Sequence, residues 1–359
     1  MTARMWVHMS ELKKKMKSNS YFLLLLLLLV TFHCLSQESS TNFSVLFYNT
    51  ENLFDPNDAD TSGDDEFTAA GERHWTYKKL NAKLLNISKV ILSASGWQPP
   101  AIVALCEIEN RNVLERLVKK TPLSSFPFEI IHKESPDHRG IDVALLYNTD
   151  QFYPLEYKYY PLKYKNDSVV ATREILYVSG IALGKDTLHF FINHWPSRYS
   201  GLLESRPIRD IAARLLREQV DVLFKKYRAP KIIIMGDFND QPDDESMVKY
   251  LKAERLSGTT KLQSLYNLSY NWMQKEVGTL KYQSQWSVFD QIIVSGTLLQ
   301  HKSGLFIRLE DAQIIDRTFL LEKDERYGGM QPFRTYIGFH YHGGFSDHLP
   351  VLLQLETDN

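Results

Sequence analysis

The stretch Lys231–Asp240, KIIIMGDFND, joins an apolar run to an abrupt polar ending. The apolar part, Ile232–Met235, shows no alternation of polar and apolar residues, which is typical of a strand buried on both faces. Asp237 and Asn239 follow at the point where this strand ends. Side chains at the end of a rigid strand are well placed for function, although Gly, Asp and Asn are also ordinary turn residues. The stretch therefore predicts a buried strand with two candidate functional side chains at its end.

Similar apolar runs recur along the chain and predict further strands. They cover Val45–Tyr48, Ile102–Cys106, Val143–Tyr147, Ile175–Leu183, Leu188–Asn193, Val288–Val294 and Leu349–Leu355. Amphipathic spacing predicts helices over Tyr77–Ser95 and from about Ser205 to Lys226, and a shorter helix capped by Asn110. Because strands outnumber helices, the pattern favours an α/β protein with two sheets packed face to face and helices outside over a doubly wound sheet.

Polar clusters begin where several of these strands end. Besides Gly236–Asp240 they are Tyr48–Asn52, Cys106–Asn110, Asn193–Arg198 and Phe345–Pro350, and Asp290 lies within the strand between the last two. Each cluster alone is equally compatible with a turn or a solvated surface. Together they offer oxygen ligands without thiolates and two separated histidines, which favours Mg²⁺, Mn²⁺ or Ca²⁺ over zinc. Carboxylates, amides and imidazoles also meet the needs of water attack on a phosphodiester.

In chain order, Asn-Thr-Glu, Leu-Cys-Glu, Asn-His-Trp-Pro, Gly-Asp-Phe-Asn, Phe-Asp and Ser-Asp-His-x-Pro resemble the motifs of the endonuclease/exonuclease/phosphatase superfamily. That superfamily includes deoxyribonuclease I, exonuclease III, apurinic endonucleases, sphingomyelinases and inositol polyphosphate 5-phosphatases. The resemblance runs from Val45 to Leu355, and residues 43–356 are expected to form the catalytic domain. It implies a four-layered α/β sandwich and divalent-metal-dependent hydrolysis of phosphodiesters, with Mg²⁺ as the expected cofactor and Mn²⁺ or Ca²⁺ as alternatives.

The resemblance also implies roles for individual residues. The implied metal ligands are Glu107, Asn49, Glu51 and Asp347. The implied catalytic residues are Asp237 and Asn239, which orient the attacking water and steady the phosphate, and His348, which acts on a phosphoryl oxygen or in proton transfer with its tautomer held by Asp290. His194 is placed to protonate the leaving oxygen, as in the deoxyribonuclease I and sphingomyelinase branches. Asp142 is our candidate for orienting His194. Cys106 stands where the family often has Gln, and we expect a small apolar side chain to pack there.

Two arginines are candidates for binding the substrate phosphate because a guanidinium engages two oxygens at once. They are Arg198, close after His194, and Arg334, within a long Gly-rich and aromatic insert that precedes Asp347. Arg206 and Arg209 either extend this cationic rim or lie on the exposed face of the following helix; the pattern favours the exposed face.

The first 36 residues have the layout of a signal peptide, with basic residues before the apolar run Tyr21–Phe32. Translation starts at Met1 or Met16, and bulky residues before Cys34 argue against a lipid anchor. We therefore expect an exported protein, secreted or periplasmic, with no stable membrane insertion and no obligate protein partner. The whole chain has 42 Lys and Arg residues and 43 Asp and Glu residues, and the leader contains five of the basic and one of the acidic residues. The remaining 37 basic and 42 acidic residues give the mature chain a net charge of −5.

A net acidic protein is not a general polyanion binder, since counterion release by basic surfaces provides much of the affinity for nucleic acid. The leading prediction is nonetheless a secreted nuclease acting on DNA or RNA, and its binding of nucleic acid would have to depend on a local basic patch. One alternative is a phosphodiesterase or phosphatase acting on small or lipid phosphoesters. A second alternative is a binding module that kept the fold without catalysis.

Overall fold

Twenty strands and five α-helices occur in the part of the chain that the structure, a computed structural model, describes: residues 43–57, 63, 65–198, 201–275, 277–301 and 304–357. The predicted signal peptide lies outside these residues. The strands are β1 Phe43–Leu53, β2 Ile102–Ile108, β3 Phe128–His132, β4 Asp142–Asn148, β5 Phe152–Tyr160, β6 Ile175–Ala182, β7 Asp186–His194, β8 Lys231–Asp237, β9 Ala253–Arg255, β10 Leu265–Asn267, β11 Leu280–Tyr282, β12 Gln285–Ser287, β13 Asp290–Ser295, β14 Leu305–Phe306, β15 Ala312–Ile314, β16 Leu321–Lys323, β17 Met330–Pro332, β18 Tyr336–Ile337, β19 His340–Tyr341 and β20 Val351–Thr357. The helices are α1 Tyr77–Ala94, α2 Arg111–Lys120, α3 Leu202–Lys226, α4 Tyr270–Gln274 and α5 Gly296–Leu299.

Two large mixed sheets form the centre of the fold. The first has the strand order β14-β20-β1-β2-β4-β3, with β15 also paired to β20, and the second has the order β5-β6-β7-β8-β13-β10-β9. The pairs β1–β2 and β7–β8 are parallel, whereas β1–β20 and β8–β13 are antiparallel.

Three hydrophobic cores divide this architecture into four layers. The core between the two sheets contains Phe47 and Ala104 from the first sheet and Phe190 and Met235 from the second. A second core joins the first sheet to α1 and α2, and a third joins the second sheet to α3. This arrangement confirms the predicted four-layered α/β sandwich.

The helix predicted to follow Asn110 begins at Arg111, and the helix predicted from Tyr77 begins at Tyr77. The side chain of Asn110 accepts a hydrogen bond of 3.1 Å from the backbone N–H of Val113, and Thr76 caps α1 in the same way. The helix predicted from Ser205 begins three residues earlier, at Leu202. Among the described residues, no helix is long and apolar enough to cross a membrane.

The strand pairing brings the polar clusters to one end of the molecule. Asn49 pairs with Cys106 across β1 and β2, and Asp237 pairs with both His194 and Asp290 across the second sheet. β7 and β8 approach so closely at Gly236 that a Cβ there would lie 2.4 Å from the backbone oxygen of Asn193. Glycine at this position therefore sets the spacing between His194 and Asp237.

Candidate active site

Several residues at these strand ends adopt the left-handed backbone conformation. Their φ angles are 52° at Glu51, 60° at Asn52, 59° at Glu107 and 51° at Asn239. This conformation is uncommon for residues other than glycine and costs free energy, so it persists only where the surroundings enforce it. Its concentration at three neighbouring strand ends marks this edge of the two sheets as the candidate active site.

Asn49, Glu107 and Asp237 meet across the gap between the two sheets. The Asn49 Nδ2 atom donates to Asp237 Oδ2 at 3.1 Å and lies 3.5 Å from Glu107 Oε1. The backbone N–H of Asn52 donates to the other Glu107 oxygen at 2.8 Å, and that of Asn239 donates to Asp237 Oδ1 at 3.0 Å. Burial, together with the nearby carboxylates of Asp290 and Glu107, raises the pKa of Asp237 to about 7, although the charge of His348 opposes the shift.

His348 and Asp290 form a buried hydrogen-bonded pair beside this group. His348 Nδ1 lies 2.7 Å from Asp290 Oδ2, and His348 Nε2 lies 3.8 Å from Asp237 Oδ2. Burial lowers the pKa of His348, but Asp290, Asp237 and Asp347 outweigh it and hold the pKa well above its ordinary value. The imidazole is therefore positively charged at neutral pH, and Asp290 holds its orientation.

His194 joins the same group but is electrically different from His348. Its Nε2 atom lies 3.8 Å from both Glu107 Oε1 and Asp237 Oδ2. Burial lowers the pKa of His194 well below its ordinary value, with Arg173, Arg139 and His348 adding to the effect. The ring is thus neutral, and its Nδ1 atom has no hydrogen-bond partner among the described residues.

The prediction that Asp142 orients His194 is wrong. Asp142 Oδ2 instead lies 2.9 Å from His132 Nε2, and its Oδ1 accepts the backbone N–H of Ser135 at 2.7 Å. Asp142 is the first residue of β4, which pairs with β3, and His132 is the last residue of β3. Position along the chain could not distinguish between these two histidines.

Glu51, Asp347 and Arg334 lie next to the group and contact one another. Arg334 Nη2 donates to Asp347 Oδ2 at 2.5 Å, and Arg334 Nε lies 3.6 Å from Glu51 Oε1. Burial raises the pKa of Glu51, with Asp347 adding to the shift and Lys83 and Arg334 opposing it. His348 and Arg334 lower the pKa of Asp347 against the effect of its burial. Arg334 therefore lies at the site, as predicted, but contacts two of the predicted metal ligands.

Three partners within the protein hold the guanidinium of Arg198 in place. It donates to the backbone oxygen of Asn239 at 2.6 Å and to the carboxylates of Asp240 and Asp244 at 2.9 and 2.6 Å. Asn239 in turn donates its side-chain N–H to the backbone oxygen of Trp195 at 3.0 Å. Arg198 therefore braces the loop that carries Asn239.

Two arginines of α3, which we expected on the exposed face of the helix, lie in different environments. Arg209, expected on the exposed face of the helix, is completely buried with its Nε 2.8 Å from Asp240 Oδ1, so that expectation is wrong. Arg206 is exposed and pairs with Glu245, as expected of a solvated helix face. Neither one extends a cationic rim at the site.

Sequence reasoning missed two buried cations. Lys83 lies in α1 with its Nζ 4.0 Å from Glu51 Oε2, and Arg173 donates to the backbone oxygens of His194 and Trp195. The burial of Lys83 could have been predicted from the sequence, because helical spacing places it on the apolar face of α1 with Leu80 and Leu84. By contrast, nothing in the chain around Arg173 indicates its contacts. Cys106 is buried in the core between the sheets, which confirms the expected apolar packing there.

The charges and donor atoms of the site fit a divalent cation. Counted formally, with one negative charge for each carboxylate of Glu107, Asp237 and Asp290 and one positive charge for His348, the group carries a charge of −2. Asn49 adds an amide oxygen, and none of these five groups carries sulfur. Hard oxygen donors with this charge suit Mg²⁺ or Mn²⁺. Within the described residues, Asp237, Asp290 and His348 also bring ligand atoms within 4.8 Å of one another.

Residues 44–357 match the model of a family described as the endonuclease/exonuclease/phosphatase family. A search of curated proteins finds no match.

Several solved structures share the fold at low sequence identity. An endonuclease/exonuclease/phosphatase family protein from Bacteroides thetaiotaomicron is 16% identical, with 89% of this chain and 99% of that chain covered and a TM-score of 0.54. Truncated TDP2 from Caenorhabditis elegans is 15% identical, with 88% and 98% covered and a TM-score of 0.52. The human nocturnin catalytic domain with bound sulfate is 14% identical, with 88% and 95% covered and a TM-score of 0.52.

Proposed function

Since the chain belongs to the endonuclease/exonuclease/phosphatase family, whose members are hydrolases of phosphoester bonds, we propose that it is a metal-dependent phosphodiester hydrolase that cleaves DNA or RNA. The observation that carries this proposal is the buried group of Asn49, Glu107, His194, Asp237, Asp290 and His348, with its formal charge of −2 and its charged imidazole. Such a group combines an oxygen-rich cation site with groups that can accept and donate protons.

Asn49 and Glu107 would hold the cation, with Asp347 and Glu51 as further candidate ligands. A bound divalent cation supplies positive charge to the phosphoryl oxygens as negative charge grows on them. Asp237, with its pKa raised to about 7, accepts the proton of the attacking water. His348 donates a hydrogen bond to a phosphoryl oxygen, because Asp290 keeps it charged. The neutral His194 donates a hydrogen bond from its N–H to the leaving oxygen, which takes up a proton from solvent water as the P–O bond breaks.

A second candidate function is hydrolysis of small or lipid phosphoesters. It is favoured by the net charge of −5 expected of the mature chain and by the pairing of Arg198 and Arg206 with carboxylates. These features reduce the cationic surface that a long polyanion would contact. We also propose that the protein is exported, which predicts that protein recovered from the medium or periplasm has an intact mass lacking roughly the first 36 residues.

Purified protein should be assayed with Mg²⁺ or Mn²⁺ against plasmid DNA, RNA and bis(para-nitrophenyl) phosphate, with His348→Ala as control. The proposal predicts that plasmid or RNA is cleaved and that the variant loses activity. Turnover of the aryl ester with intact nucleic acid would favour the second candidate. Metal binding without turnover of any substrate would favour a non-catalytic binding module.

A further inference from the structure

Both carboxylate oxygens of Glu51 already have partners within the protein. Glu51 Oε2 accepts the backbone N–H of Thr335 at 2.6 Å and lies 4.0 Å from Lys83 Nζ, while Oε1 faces Arg334 Nε at 3.6 Å. The side chain is only 8% exposed. One hydrogen bond and two cationic side chains thus surround the carboxylate of Glu51. A metal ion at Glu51 would have to lie beside the positive charges of Lys83 and Arg334, which repel it.

Lys83 explains why Glu51 is held so firmly. Its side chain is completely buried, and its Nζ also contacts Thr335 Oγ1 and lies 3.4 Å from the backbone oxygen of Phe345. A buried ammonium is costly unless it is paired, so Glu51 is required as its counter-ion. Lys83 thereby ties α1, the end of β1 and the segment that carries Arg334 into one unit.

The charges of this unit balance without a cation. Glu51 and Asp347 supply two negative charges, and Lys83 and Arg334 supply two positive charges. The neighbouring group around Glu107 instead carries a formal charge of −2. A divalent cation therefore gains more from binding beside Glu107 than from displacing Arg334 at Glu51.

Arg334 is the member of this unit that can reach a substrate. Its side chain is 40% exposed, whereas Lys83 is buried. Its Nη2 donates to Asp347, and its Nε faces Glu51 Oε1 at 3.6 Å without a hydrogen bond. A guanidinium carries five N–H donors in a planar fork. The Nη1 donors remain for a phosphoryl oxygen, and the carboxylates fix the plane in which they point.

We propose that Glu51 is not a ligand of the cation but a positioning residue, which holds Arg334 so that Arg334 binds a phosphoryl oxygen of the substrate. This inference rests on the proposed hydrolysis of phosphodiesters. It reassigns Glu51 from the metal shell to the substrate-binding side of the site. Glu107 remains the principal carboxylate ligand.

Calorimetric titration of the full-length protein with Mn²⁺ tests the ligand assignment without any turnover. We expect Glu51→Gln to bind Mn²⁺ within about threefold of the wild type, and Glu107→Gln to lose at least about tenfold in affinity. Equal losses in the two variants would overturn the inference. If Glu51→Gln does not fold, Arg334→Gln decides, because Arg334 is partly exposed. We expect the affinity of Arg334→Gln for Mn²⁺ to stay within about threefold of the wild type. If Glu51 and Asp347 were ligands, removing Arg334 would instead strengthen Mn²⁺ binding about tenfold or more.

Kinetics with bis(para-nitrophenyl) phosphate test the link from Glu51 to Arg334. Loss of a charge-assisted hydrogen bond to phosphate should raise KM about tenfold in Arg334→Gln. Glu51→Gln should raise KM by a similar factor. The KM of the double variant should be at most about threefold higher than that of Arg334→Gln alone. Multiplication of the two effects, to about a hundredfold, would show that Glu51 acts independently of Arg334.

Arg308→Gln is the matched control for the loss of an arginine, since Arg308 is 53% exposed and pairs with Glu356 at 2.5 Å away from the site. It should leave KM and Mn²⁺ affinity unchanged. A wild-type protein that binds Mn²⁺ but hydrolyses no phosphoester would contradict the proposed function. The Mn²⁺ titrations would still decide whether Glu51 is a ligand.

Discussion

At the scale of single residues, the two histidines of the site have opposite electrical states. His348 is charged because Asp290 lies 2.7 Å from its Nδ1, whereas His194 is neutral because it is buried beside arginines. One imidazole can therefore stabilise negative charge on a phosphate while the other offers only a neutral N–H. This difference assigns the charged role to His348.

Asp290→Asn should lower kcat by about a thousandfold and change its pH dependence. Asp290 favours the protonated imidazole, so its removal lowers the pKa of His348. Activity that needs charged His348 is lost as pH rises through that pKa, and the alkaline limb of the pH profile should move to lower pH. The profile of kcat/KM between neutral and alkaline pH measures this shift. An unchanged alkaline limb in Asp290→Asn would contradict the role of His348, and the exposed Asp150→Asn serves as control.

Some of the predicted site residues lie together in the structure, and others contact different partners. The difference lies in whether strand pairing or side-chain packing determines their contacts. The residues that lie together are near the ends of neighbouring strands, and the apolar runs predict those strands. They are Asn49, Glu107, Asp237, Asp290 and His348. The partners of Asp142, Arg198 and Arg209 depend on side-chain packing around a loop or a helix face. Charge and spacing along the chain carry no information about that packing.

At the scale of elements, the parallel pairs β1–β2 and β7–β8 determine the site, because each brings the carboxyl ends of two strands together. The eight strands predicted from apolar runs and the three predicted helices occur in the structure. β5 was missed because most of its residues are exposed and polar or aromatic, which leaves no apolar run. β13 begins at Asp290, two residues after the predicted start, so Asp290 lies at the strand end instead of within the strand.

Gly236→Ala should separate β7 from β8, because the added Cβ would meet the backbone oxygen and Cβ of Asn193 at 2.4 and 2.6 Å. Overpacking of this kind costs about 2 kcal/mol, and the shift also moves His194 away from Asp237. Urea denaturation should show the lower free energy of unfolding, and kcat should fall. Gly96→Ala, at a position with open space and a φ of 70°, is the control for backbone strain alone. Wild-type stability and kcat in Gly236→Ala would refute this account of the strand spacing.

At the scale of the whole molecule, the chain has nearly equal numbers of basic and acidic residues, 42 and 43. The proposed binding of nucleic acid would therefore depend on a few local contacts with phosphates. The four-layered sandwich supports this design, since its three cores hold the strand ends rigidly while loops shape the surroundings.

The dependence of DNA cleavage on salt tests this view of the surface. Each neutralised phosphate contributes about 0.9 to the slope of log affinity against log salt. We expect a slope of log kcat/KM against log NaCl shallower than about −3, measured with a double-stranded oligonucleotide at constant Mg²⁺. A slope of about −6 or steeper would mean that an extended basic surface contacts the substrate.

We propose that Glu107 and its neighbours form a cation-dependent centre for phosphodiester hydrolysis. The most direct test is the rate of bis(para-nitrophenyl) phosphate hydrolysis as a function of Mn²⁺ concentration, for the wild type and for Glu107→Gln. We expect turnover that saturates with Mn²⁺ and disappears with chelator in the wild type, and a loss of at least about a hundredfold in Glu107→Gln at the same Mn²⁺ concentration. Turnover that persists in chelator, or that is equal in the two proteins, would contradict the claim.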